Sequence, residues 1–376
     1  MWKILPKSLM STTLLVNSQI RTFSGQRAQQ REMEMTPKIK AALAASLTGV
    51  LALTACSGAS GGATGGDRLS LVGYSVLEAA NVPVFEEFEG TSDGEGVTSQ
   101  TSYGASGDQS RAVEGGLDAD VVHFSLEPDL QRLVDAGLVA DDWKDNETKG
   151  IATSSVVSFV VREGNPEDIQ GWDDLVKPGV EIITPNPASS GSAKWNMLAA
   201  WAHVTGAGGT DAEAEQFFTK LLQNTIALPA SGRDATTAFS EGNGDVLLSY
   251  ENEAILARQN GEPFDYIVPD DTLLIENPAA VTSDAPDAAQ AFLDFLTSPE
   301  AQADYAQTGF RPVVDGVELP EVEGANDPAD PFPTPGTLYT IDDDFGGWAE
   351  ANTKFFDETE GIIPKLQAKT GAEGEE

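Results

Sequence analysis

Cysteine is almost missing from this chain: its 376 residues hold one, Cys56. A lone cysteine excludes a disulfide framework and every cysteine-based zinc or iron–sulfur site. Histidine is nearly as scarce, with His123 and His203 only. The first lies in the apolar run "VVHFSL" and the second at the far end of a helical stretch. Both are expected to be structural, and no His/Cys metal cluster is available. Basic residues are few as well, 22 Lys and Arg against 60 Asp and Glu, for a formal net charge of -38. Nucleic acid and anionic lipid both require a basic footprint, so neither is an expected partner. A solvated acidic surface and adaptation to high salt account for the charge equally well. Catalytic fingerprints are missing too: there is no G-x-S-x-G elbow, no P-loop and no dinucleotide-binding glycine motif. No cofactor, metal or catalytic residue is expected. Paired acids such as Asp173–Asp174 and Asp342–Asp343–Asp344 read as solvated surface rather than calcium ligands. Trp172, Trp195, Trp201 and Trp348 read as packing rather than sugar-stacking platforms.

Hydrophobic residues make up 40 % of the chain, enough for a buried core, and the length suits about two domains. The apolar run "AALAASLTGVLALTA" covers residues 41–55, short of the about 20 residues that span a bilayer. Lys38 and Lys40 precede it and small residues end it, which is the layout of a secretory signal. The closing "LTAC" resembles a bacterial lipobox, whose cysteine is lipidated and becomes the first mature residue; an ordinary signal beside a chance cysteine is the alternative. On the lipobox reading, residues 33–55 are the signal and residues 56–66 are lipidated Cys56 and a flexible tether. About ten such tether residues reach roughly 17 Å. Residues 1–32 are basic and acid-free until Glu32, superficially like an organellar transit peptide. A lipobox signal is complete from Met33 or Met35, so these residues are expected to come from a misplaced start codon.

From Asp67 onward strands and helices alternate. "RLSLVGYSV", "GVTSQTSYG", "ADVVHFSL", "SSVVSFVVRE", "VEIITPNP" and "DVLLSY" read as strands. Between and after them lie helical stretches, among them "SGDQSRAVEGG" capped by Ser106, "DAEAEQFFTKLLQN" capped by Asp211, and "KFFDETEGIIPKL" near the end. "PEVEGANDPADPFPTPG" is loop. Strands separated by helices predict an α/β fold with parallel sheets, and such sheets bind ligands beyond the carboxyl ends of their strands. At four of these strand–helix junctions the chain is rich in small and hydroxyl residues: Gly73-Tyr74-Ser75, Gly104 to Gly107, Ser189 to Ser192, and "PASGRDATTAF". The first turn of a helix has unpaired N–H groups and a partial positive charge. Small residues let that backbone approach a ligand. Taken singly each junction is an ordinary N-cap; four together predict an anion site built without charged side chains.

From about residue 69 to residue 366 the chain resembles the sulfate-binding proteins of bacterial ABC importers. The resemblance rests on "VGYSV", "YGASGDQSRAVEGGLDADVV", "GWDDLVKPGVEIITPNPASSGSAKWNMLAAWAH", "GDVLLSYENEAILA", "GFRPV" and "DDFGGWAEA". It implies a two-lobe periplasmic-binding-protein-like fold of type II, each lobe a mostly parallel sheet flanked by helices, with the ligand in the cleft between lobes. Residues 67–152 would begin lobe 1, residues 153–250 form lobe 2, residues 251–340 complete lobe 1, and residues 341–376 add a C-terminal helical segment. Carried over by motif, the ligand-binding residues are Ser75, Ser106, Ser190, Gly191, Ser192, Gly232 and Tyr250. The backbone N–H groups of Ser75, Ser106, Gly191, Ser192 and Gly232 would be donors. The implied partners are sulfate or a related oxyanion, the permease subunits of an ABC transporter, and the membrane through Cys56; the protein would be a monomer on the cell surface. Three positions depart from the pattern. Tyr250 stands where the family usually has a Trp, Ser192 replaces a glycine, and Asp108 replaces a lysine. Sulfate wants donors only, whereas monohydrogen phosphate needs an acceptor, which Asp108 would supply if it faced the cleft. Asp108 is expected to face solvent in the first turn of its helix, which keeps sulfate ahead. Thiosulfate, phosphate and molybdate remain alternatives, as does a surface hydrolase acting on sulfate or phosphate esters.

Overall fold

The structure is a computed structural model that describes residues 68–372. Residues 1–32, the expected signal, Cys56 and the tether lie outside the described residues. Strand β1 (Arg68–Tyr74) is buried in six of its seven residues, as a central strand covered on both faces must be. The first half of the fold continues with α1 (Leu77–Glu89), β2 (Thr98–Gly104), α2 (Ser106–Glu114), β3 (Val121–His123) and α3 (Glu127–Asp135). β1 pairs in parallel with β2 and β3 on either side. β4 (Ile151–Arg162) leads into the second half. There α4 (Trp172–Leu175), β5 (Ile182–Ile183), α5 (Gly191–Gly206), α6 (Asp211–Asn224), β6 (Thr225–Ala227), α7 (Gly232–Ser240), β7 (Val246–Tyr250), α8 (Glu251–Gln259) and β8 (Phe264–Ile267) follow in turn. β9 (Asp271–Val281) runs back, and α9 (Asp287–Leu296) and α10 (Pro299–Gln307) close over α1, with Phe85 stacked on Phe292 at 4.5 Å. The described residues end with β10 (Thr337–Tyr339), α11 (Ile341–Phe345), α12 (Trp348–Ala351), a π-helical turn at Asn352–Phe356, and α13 (Ile362–Thr370).

The strand order is β2-β1-β3-β9-β4-β7-β5-β6, with β10 beside β9 and β8 beside β4. β5 is parallel to β6 and β7, and β10 to β9; every antiparallel pairing involves β4 or β9. These two long strands join the halves. β4 pairs with β9 through Val156, then with β7 from Val157 onward. β9 pairs with β4 up to Pro278 and with β3 from Ala279 to Val281.

Sequence periodicity did not predict β6, β8, β9 or β10. In β9 the run Glu276-Asn277-Pro278 breaks the apolar pattern, because the strand changes partners there. The single helix expected over "KFFDETEGIIPKL" is two pieces. Asp357 accepts N–H groups of Thr359 and Glu360 and so ends the first before α13 begins. The cap of α6 is Thr210, not Asp211: its hydroxyl accepts the Glu213 N–H while the Glu213 carboxylate takes the Thr210 N–H. Nor is Ser106 a cap. It is the first residue of α2, Ala105 holds the cap position, and the Ser106 side chain is directed elsewhere.

Candidate functional site

The strand–helix junctions gather at one place, at the carboxyl ends of the parallel strands. Ser75 follows β1, Ser106 follows β2, Ser125 follows β3, Ser190 to Ser192 follow β5, Gly232 follows β6, and Tyr250 ends β7. Contacts across the two halves tie them together. The Gly107 N–H donates to Ser189 O at 3.1 Å, and Trp195 Nε1 donates to Ser125 O at 2.9 Å. Gly191 lies directly under Ser125: a Cβ built on it would be 2.6 Å from Ser125 Cβ. A Cβ on Gly232 would meet Val76 Cγ2 at 3.4 Å and Ser192 Cβ at 3.5 Å. These contacts bring the junctions that carry Ser75, Ser106, Ser190, Gly191, Ser192 and Gly232 together; all of these but Ser75, which is half-buried, are buried, and Tyr250 is fully so.

Ser106 begins α2, Gly191 and Ser192 begin α5, and Gly232 begins α7, so their N–H groups have no intrahelical acceptor. Among the described residues no other hydrogen bond uses them either. The hydroxyls of Ser75, Ser190 and Ser192 are likewise without a partner among the described residues. Ser75 corrects the carry-over: its N–H is already donated to Gly104 O at 2.8 Å, because the β1–β2 pairing continues one residue past Tyr74. Only its side chain is spare.

Ser106 has a second engagement. Its Oγ donates to Asp129 Oδ2 at 2.6 Å and accepts the Ser125 N–H at 3.0 Å. Burial pushes the Asp129 carboxyl up, while the Ser106 hydrogen bond and the charges of Lys194, Arg132 and Arg111 pull it back. Tyr250 Oη lies 2.7 Å from Ser125 Oγ, and burial raises the phenol well above its ordinary value, so it stays neutral. Asp108 is exposed and pairs with Arg111; it does not offer the cleft an acceptor.

The histidines stand apart from the spare donors. His123 is wholly buried with Nε2 3.2 Å from Thr153 Oγ1, and burial holds it down to about 3. His203 sits at the end of α5 with Nδ1 2.8 Å from Asp271. Trp172 and Trp195 give their indole N–H groups to backbone carbonyls. Trp195 and Trp348 meet edge to face at 4.7 Å. Among the described residues no group of three or more His, Cys, Asp or Glu could hold a metal ion. Sequence reasoning missed Ser125, Asn277 and Asp129. Asn277 Nδ2 donates to Ser125 O at 3.0 Å and Asn277 Oδ1 accepts Tyr74 Oη at 2.9 Å, so it braces the cleft wall from the strand that was not predicted. What the arrangement offers is a compact set of N–H and O–H donors lodged at helix N-termini, which suits a small anion.

Comparisons with known proteins bear on this geometry. The family model described as bacterial extracellular solute-binding protein matches residues 69–311. A sulfate-binding protein of Synechococcus elongatus is 42 % identical over 322 residues, covering 82 % of this chain and 90 % of the relative. A thiosulfate-binding protein of Escherichia coli is 35 % identical, covering 79 % of this chain and 89 % of its own length. The solved structure of the sulfate-binding protein SubI from Mycobacterium tuberculosis matches with a TM-score of 0.72 at 47 % identity, over 77 % of this chain and all of that one.

Proposed function

The chain belongs to the bacterial extracellular solute-binding protein family, with the α/β fold of type II periplasmic binding proteins, and we propose that it captures sulfate in the cleft and delivers it to an ABC permease. The observation that carries the proposal is the convergence of four spare first-turn N–H groups, from Ser106, Gly191, Ser192 and Gly232, on helices of both halves. The Ser190 and Ser192 hydroxyls add to them. Each hydrogen bond to a charged ligand is worth about 1.5–3 kcal/mol, enough in sum to offset the cost of ordering two lobes around one ion. The net charge of -38 does not oppose this, since charges farther away than about 8 Å are largely screened. Oriented N–H groups inside a closed cleft are not screened in that way. Opening and closing run through β4 and β9, the two strands that the halves share.

Family membership implies a place of work outside the cytoplasm. We assign Cys56 as the lipid attachment point; a Cys56→Ala protein then leaves the membrane fraction, and its retention there contradicts the anchor. Sulfate is favoured over monohydrogen phosphate because Asp108, the acceptor that the sequence offered, is exposed and engaged with Arg111. The test is a competition titration of sulfate, thiosulfate, phosphate and molybdate at one pH. Sulfate is expected to bind tightest, and a preference for phosphate overturns the assignment. The protein is read as a binder rather than an enzyme, so a chromogenic sulfate or phosphate ester is left intact.

A further inference from the structure

The connection between β3 and α3 brings into the cleft a hydroxyl that no motif announces. Ser125 is 1 % exposed, and its side chain lies directly over Gly191, the first residue of α5. It therefore faces the N-terminus whose spare N–H groups mark the anion position. Counting protons then separates the roles of the two serines on this wall. A serine hydroxyl has one proton and two lone pairs. Ser106 Oγ commits its proton to Asp129 and one lone pair to the Ser125 N–H, so its side chain has no proton to give a ligand. Ser125 Oγ has one hydrogen-bond partner among the described residues, Tyr250 Oη at 2.7 Å, and either oxygen can be the donor. Tyr250 itself is fully buried.

Resting on the oxyanion reading above, we propose that Ser125 is the side-chain donor to the anion on this wall and that Tyr250 acts through it as a positioning residue. Tyr250 Oη donates to Ser125 Oγ, which turns the Ser125 proton toward the anion. The pair is also reversible. When Ser125 donates to Tyr250 instead, it presents a lone pair to the ligand, and a protonated oxyanion can use that lone pair. The Ser125–Tyr250 pair thus sets how sharply the cleft separates a fully ionised dianion from one that carries a proton.

The test is calorimetric titration of the full chain with sodium sulfate, comparing wild type, Ser125→Ala, Tyr250→Phe and the double variant. Ser125→Ala is expected to weaken binding about ten- to a hundred-fold, and Tyr250→Phe by roughly three- to ten-fold through lost orientation. The double variant should match Ser125→Ala within about two-fold, because Tyr250 has nothing left to orient. Ser125→Ala binding like wild type overturns the proposal. So does a double variant whose loss is the product of the two single losses, since Tyr250 would then act on the anion independently. Each substitution removes one oxygen, and a melt without ligand checks folding. If Ser125→Ala does not fold, Ser125→Cys takes its place with a loss in the same direction. Wild type failing to bind every tetrahedral oxyanion overturns the reading of the site itself; wild-type binding that Ser125→Ala leaves unmoved overturns the relay alone.

Discussion

Gly191→Ala separates closure from folding. Gly191 opens α5 and is not among the glycines with positive φ, so alanine suits its backbone. A Gly→Ala change at a compatible position usually stabilises a protein by about 0.4–1 kcal/mol. Across the cleft the new methyl has no room. A Cβ at 191 would stand 2.6 Å from Ser125 Cβ and 2.9 Å from Leu126 Cγ, where carbon pairs prefer about 3.5–4.0 Å. The walls would have to part by about 1 Å, and overpacking of that kind costs about 1–3 kcal/mol. Since Ser125 follows β3 and Gly191 follows β5, the cost falls on the closed form and spares a form in which the halves are apart. Sulfate affinity should therefore drop by roughly 5- to 150-fold, while the melting temperature without sulfate stays unchanged or rises. Calorimetric titration and a thermal melt read the two quantities. A dissociation constant within two-fold of wild type would show that the methyl does not hinder closure, and a large fall in the ligand-free melting temperature would show that the clash acts on folding instead.

Ser190→Ala should weaken sulfate binding by about 1.5–3 kcal/mol without unfolding the chain; unchanged calorimetric affinity removes Ser190 from the site. His123 gives an acid limb to stability. Its folded value of about 3 lies below the usual histidine value of about 6.5, so below that pH unfolding takes up a proton. Stability is then lost as pH falls from about 6.5 toward about 3, by roughly 2 kcal/mol at pH 5. The buried Asp129 and Glu253, whose carboxyls burial pushes up, act in the opposite sense. The contribution is accordingly read as the difference between wild type and His123→Gln in denaturant melts at pH 7.5 and pH 5; parallel losses would contradict it. Arg311→Met should destabilise by about 3–5 kcal/mol, because Arg311 Nε donates at 2.7 Å to Glu251, a fully buried carboxylate. Adding Glu251→Gln should recover most of that loss in the same melts.

How much of this was legible in the sequence follows from how local each feature is. Ser190, Gly191 and Ser192 were readable because a helix start is decided within one turn, and small hydroxyl residues there leave a mark in the sequence. The departure at Ser192 was visible too, and its side chain lies beside Gly232 as a second wall needs. Ser125 left no such mark. Leu126 holds the cap position of α3, and the relevance of Ser125 comes from Tyr250 and Gly191, far off in sequence. The commitment of the Ser106 proton to Asp129, 23 residues away, was hidden for the same reason. β9 escaped notice because its polar stretch Glu276-Asn277-Pro278 serves a change of strand partner, and Asn277 also serves the cleft. Periodicity detects strands with one partner face throughout; a strand shared by two halves breaks that rule.

A crystal structure of the protein grown or soaked with sulfate shows directly whether these helix N-termini hold the anion. One sulfate is expected in the cleft, with oxygens within about 3 Å of the N–H groups of Ser106, Gly191, Ser192 and Gly232 and of Ser190 Oγ, and no lysine or arginine in contact with it. A cleft without the anion at saturating sulfate, or a sulfate held there by a cationic side chain, would contradict this expectation.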